Sequence, residues 1–69
     1  MLLTKRERQI FEMLIQSAST KEIANTLHIS EKTVRNHISN VIQKLGVTSR
    51  LQALLELVAL GELKIEKSQ

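Results

Sequence analysis

Between Thr20 and Leu45, apolar residues recur with a helical period in two runs separated by a three-residue break. In the first run Ile23, Ala24 and Leu27 share one face, and Ala24 is small enough to let another helix cross closely. In the second, Val34, Ile38, Val41 and Leu45 follow at spacings of four, three and four and form one buried stripe. Lys32, Asn36, Ser39 and Gln43 repeat at the same spacings on the opposite side, with Arg35 and Asn40 flanking them. The ends are marked as well. Ser19 and Glu22 form a capping box for a helix from Thr20 or Lys21 to Leu27. Ser30 caps a second helix, about 31–45, with Glu31 where the helix dipole favours an acid and Gly46 as left-handed terminator. In the intervening His28-Ile29-Ser30 turn, His28 is expected at positive φ and Ile29 plugs the core below. Residues 20–39 therefore read as a helix-turn-helix.

The flanks extend this unit. Thr4 and Glu7 form another capping box before a helix from about Lys5 to Ser17. Ile10, Phe11, Leu14 and Ile15 are its expected core face, with Met13 at the margin and Lys5, Arg6, Arg8 and Glu12 solvated. Leu3 is placed to staple back against the turn of Arg8, and Glu7 either only caps or also pairs with Arg50. Beyond Gly46, Ser49 caps a last helix, about 50–60, with Gln52 at the capping-box position and Gly61 as the stop. One all-α, four-helix domain over residues 1–65 accounts for the chain, followed by a charged tail at 66–69. Leu63 and Ile65 are expected to pack locally at most.

Eight of the ten positions from Leu51 to Leu60 are apolar, more than one core face requires. Leu51, Leu54, Leu55 and Val58 make one stripe; Ala53, Leu57 and Leu60 make another nearly opposite. A domain this small leaves one of the two exposed, which marks an interface. Ala53, Leu57 and Leu60 are assigned to it, pairing the last helices of two chains across a two-fold axis and presenting two recognition helices to inverted half-sites.

Composition narrows the function. Sixty-nine residues allow one small core, helped by oligomerisation. The absence of cysteine excludes disulfides and thiolate metal sites and fits a reducing cytoplasm. No apolar run is long enough to span a membrane, and no secretory signal opens the chain. The net charge of +3 is unevenly spread: residues 1–50 carry eight Lys or Arg against four Glu, and residues 51–69 two Lys against three Glu. An anionic partner is expected on the basic side.

The outer row of the 31–45 helix supplies the chemistry. Lys and Arg match guanine acceptors, and Asn or Gln binds adenine in bidentate fashion. An ordinary solvated face would also be polar, but it usually mixes Glu with Lys, and this one has no acid after Glu31. Two histidines nine apart, without Cys or Asp, make a poor metal set, and His37 beside the buried stripe is equally suited to packing or to a phosphate. Phe11, the single aromatic, belongs to the core, which argues against single-stranded nucleic acid and its stacking rings.

The strings LTKRERQIFEMLIQ, TKEIANTLHISEKTVRNHISNVIQKLGV and SRLQALLEL resemble the DNA-binding domain of LuxR-type regulators over nearly all of residues 2–63. Within that family the chain is most similar to the small stand-alone regulators of late sporulation genes in spore-forming bacilli. The resemblance implies a four-helix fold, major-groove binding by the third helix, dimerisation through the fourth, and a cytoplasmic regulator that activates or represses promoters. RNA polymerase is a further candidate partner of such a regulator, which the sequence itself does not specify. The resemblance places Arg35, Asn36 and Ser39 at bases, joining Lys32 of the outer row, although some members carry a basic residue where Ser39 stands. Thr20, Lys21, Ser30, Thr33, His37 and Lys44 approach phosphates on the same ground, with Asn40 beside them.

Three classes of function are in play. A regulator binding double-stranded DNA is the first, either stand-alone or as the output domain of a response or quorum-sensing regulator. A helical protein-interaction module using the last helix is the second, and salt dependence separates it from the first. An enzyme is the third: the chain has no cysteine, tyrosine, aspartate or glycine-rich phosphate loop, and no nucleophile–base pair at usable spacing. No cofactor, metal, small-molecule substrate or membrane partner is expected.

Overall fold

The computed structural model describes residues 2–65, and the tail at 66–69 lies outside them. Four helices run in the order α1 Lys5–Ile15, α2 Thr20–Leu27, α3 Glu31–Leu45 and α4 Arg50–Ala59, with no strand among the described residues. Each begins on a hydroxyl cap. Thr4, Ser19, Ser30 and Ser49 accept the N–H of Glu7, Glu22, Thr33 and Gln52 respectively. Glu7 and Glu22 accept the cap backbone N–H in return, completing two of the three expected boxes; the third, Ser49 with Gln52, is not closed. Gln52 reaches one residue further back and accepts from the backbone N–H and hydroxyl of Thr48.

The helices close on a single core of Leu3, Ile10, Phe11, Leu14, Ile23, Ala24, Val34, Ile38, Val41, Ala53, Leu57 and Leu63. α3 is the central element and touches the other three helices. It presents Val34, Ile38 and Val41 inward, the stripe its periodicity predicts.

The structure departs from expectation at both ends of the chain. α1 stops at Ile15 instead of Ser17, because Ser17 takes φ 72° and the N–H groups of Gln16, Ser17 and Ala18 turn back onto Met13 and Leu14. Arg8 is not simply solvated: its guanidinium donates to the Glu62 carbonyl and carboxylate at 2.6 and 2.5 Å. That grip draws the chain after α4 across the domain, and Leu63 is buried there, while Ile65 remains exposed.

The dimer-interface assignment on α4 is corrected at Ala53 and Leu57. Ala53 and Leu57 are both 0% exposed and belong to the core, whereas Leu51 and Leu55 are 64% and 59% exposed. Leu54 and Val58 are half-buried at the edge of the core, and Leu60, in the C-cap, stays exposed. Both stripes satisfy a helical period, so only the fit decides. The small Ala53 goes to the fully enclosed side, and the bulky Leu51 and Leu55 are left outside.

Candidate nucleic-acid interface

α2, its turn and α3 form a helix-turn-helix whose local chemistry is fully accounted for. His28 adopts φ 59°, ψ 43°, and its N–H and that of Ile29 both return to the Ala24 carbonyl, closing the end of α2. Histidine takes the place glycine often has in such turns, at a modest conformational cost. Ile29 packs against the core and fixes the angle at which the chain enters α3. Ser30 then caps α3 and donates its own hydroxyl to Thr33 Oγ1 at 2.9 Å.

Lys32, Arg35, Asn36, Ser39, Asn40 and Gln43 are all exposed, on the side of α3 away from Val34, Ile38 and Val41. The structure therefore gathers the four expected base-reading residues on one open surface. Arg35 makes only a long contact, 3.4 Å, to Glu31 one turn earlier; both side chains are about half exposed and the pair holds Arg35 loosely. The Thr20 hydroxyl also reaches Glu31, at 3.4 Å, so the first turns of α2 and α3 lie side by side. Thr20, Ser30 and Thr33 thus lie near the start of α3, beside the Glu31 carboxylate, and Lys21 is exposed in the first turn of α2. His37 is half-buried on the flank of α3.

Lys44 is placed differently. Its ammonium donates to Glu7 Oε1 at 2.7 Å and to the Leu2 carbonyl at 3.0 Å, turning toward α1. Glu7 is 5% exposed and is the buried charged residue of the described chain. Its partner is Lys44 rather than Arg50, which is exposed. Burial pushes the Glu7 carboxyl up, but hydrogen bonds from Lys44 and Thr4 and the Lys44 charge outweigh it and leave its pKa below the ordinary value. No group of three or more His, Cys, Asp or Glu placed to hold a metal occurs among the described residues. No helix among them is long and apolar enough to cross a membrane.

A helix-turn-helix braced by α1, with an acid-free polar row facing outward on its second helix, defines a domain of the duplex-DNA-binding class. Residues 1–57 match the family model for bacterial regulatory proteins of the luxR family, and the chain belongs to that family. It is 66% identical over 64 residues to the spore germination protein GerE of Bacillus subtilis strain 168, a match covering 93% of this chain and 86% of that protein. It is 41% identical over 64 residues to the transcriptional regulatory protein DegU of Brevibacillus brevis, covering 93% of this chain but 27% of that protein. The fold matches the solved structure of the transcription factor GerE with a TM-score of 0.93 at 64% identity, covering 96% of this chain and 98% of that one. The chain is accordingly a LuxR-type DNA-binding transcription regulator, in a family of regulators rather than enzymes.

Proposed function

We propose that the protein binds duplex DNA as a homodimer, lays α3 in the major groove of each half-site, and regulates late sporulation genes in the cytoplasm. The observation that carries this reading is the exposed, acid-free row of α3 on a rigid helix-turn-helix. Lys32, Arg35, Asn36 and Ser39 contact bases, while Thr20, Lys21, Ser30, Thr33, His37 and Asn40 approach phosphates and fix the register. The sporulation role rests on 66% identity to a protein named for spore germination. Dimerisation rests on the outer face of α4, Leu51 and Leu55 with the half-buried Leu54 and Val58, in place of the Ala53–Leu57 side. RNA polymerase is the further partner such a regulator requires to activate a promoter.

Selection of binding sites from a random duplex pool tests the whole reading. The expected outcome is an inverted repeat bound with an affinity that falls steeply with salt. Enrichment of no sequence, or binding indifferent to salt, overturns it.

A further inference from the structure

The Glu7–Lys44 ion pair joins α1 to α3 at 2.7 Å, with a carboxylate that is almost fully buried. Lys44 follows His37 by seven residues, two helical turns, so it sits on the flank of α3 and not in the Lys32–Asn36–Ser39–Gln43 row. Its side chain is 35% exposed and that of Glu7 6%, and a second bond to the Leu2 carbonyl takes up the ammonium further. Glu7 is simultaneously committed to Thr4, accepting its backbone N–H at 2.9 Å. One carboxylate thus joins the start of α1 to the last turn of α3, where a cation is also favoured by the helix dipole. A lysine that left this contact for a phosphate would strand a buried carboxylate, which opposes the move.

We propose that Glu7 and Lys44 are positioning residues for sequence reading. Their contact fixes the seat of α3 against α1, and Lys44 serves DNA recognition through Glu7 instead of by touching a phosphate. This rests on the DNA-binding reading above. Both alternatives require Lys44, but they give opposite signs for Glu7. If the lysine holds α3, removing the Glu7 charge loosens the row that reads bases. If the lysine is a phosphate contact held back by Glu7, removing that charge releases it and binding tightens.

The experiment compares wild type, Glu7→Gln, Lys44→Met, the double variant and Lys44→Arg. Each binds a duplex carrying the selected site and a random-sequence duplex, across a salt series, below the lowest melting temperature found by circular dichroism. Glu7→Gln keeps an oxygen for the Thr4 cap, and Lys44→Met keeps the aliphatic stem. The expected result is a loss of about tenfold on the selected site in each single variant, part of the value of one base contact. The double variant loses no more than either single, Lys44→Arg retains binding, and random-duplex affinity and salt slope are unchanged. Tighter binding by Glu7→Gln with a salt slope lowered by about one in Lys44→Met overturns the proposal in favour of a phosphate contact. Melting temperatures that fall while selected-site affinity holds overturn it in favour of a purely structural pair. Should Glu7→Gln fail to fold, the partly exposed Lys44→Met decides between the same outcomes. A wild-type protein that binds neither duplex overturns the DNA-binding reading itself, a failure recognisable before any variant is compared.

Discussion

Arg8 and Glu62, 54 residues apart in the chain, meet through two hydrogen bonds, one to the backbone carbonyl and one to the carboxylate. Each side chain is about 30% exposed, so the contact is better shielded than an ordinary surface pair. It secures the segment that carries Leu63 into the core. Arg8→Ala is expected to lower stability by about 1–2 kcal/mol. Hydrogen exchange checks the mechanism: the Leu63 amide, bonded to the Leu57 carbonyl, should lose protection, while amides in the middle of α3 exchange only as the global stability falls.

Acid should weaken the fold through Glu7. Its folded pKa lies below the ordinary 4.5, so its contribution is complete above about pH 4.5 and is lost as pH falls through the folded value. In Glu7→Gln this part of the acid dependence should vanish, with lower stability at neutral pH than wild type. Urea midpoints measured from neutral pH downward test both statements. A wild-type acid limb that survives unchanged in Glu7→Gln assigns it to other carboxylates.

The two faces of α4 give a sharp pair of substitutions. Leu57→Glu places a carboxylate in the sealed core and should unfold the domain, a cost above about 4 kcal/mol. Leu55→Glu changes a residue that is 59% exposed, and should keep the helical spectrum while giving monomers in sedimentation. A dimer that survives Leu55→Glu and Leu51→Glu places the interface elsewhere on the surface.

These two leucines show where sequence reasoning runs out. Four caps, the left-handed His28 and Gly46, and the Val34–Ile38–Val41 stripe were legible because each depends on a few neighbouring residues. The reading row of α3 was legible for the same reason: its periodicity is local, and its lack of acid is a matter of composition. The inward face of α4 was not, since either stripe satisfies the period and only the shape of the opposing helices selects Ala53 and Leu57. Glu7–Lys44 and Arg8–Glu62 join residues 37 and 54 positions apart, and neither separation leaves a local pattern to find.

Gly46 and His28 share a left-handed backbone, at φ 72° and 59°, but respond differently to substitution. A Cβ at Gly46 would meet nothing within 4 Å, so Gly46→Ala should cost only the conformational term, about 1 kcal/mol. His28→Gly removes that strain but adds freedom to the unfolded chain, and should change stability by less than about 1 kcal/mol. Thermal melts of both variants separate the two effects. A large loss in His28→Gly would assign the imidazole a packing role beyond the turn.

Asn36 offers the most direct test of how α3 reads DNA. It sits in the middle of the exposed row, one turn after Lys32 and three residues before Ser39, and its side-chain amide makes no hydrogen bond to another described residue. Removing an exposed, uncommitted amide should leave stability within about 0.5 kcal/mol. Any sizeable effect on DNA binding must then arise in the complex. Asn36→Ala is expected to weaken the selected site by about 1–3 kcal/mol and to relax preference at one base pair, with random-duplex affinity unchanged. An equal loss on both duplexes would make Asn36 a backbone contact and shift the burden of recognition to Lys32, Arg35 and Ser39. The random duplex is the necessary control, because phosphate contacts dominate affinity on any sequence and would hide a lost base contact in a single measurement.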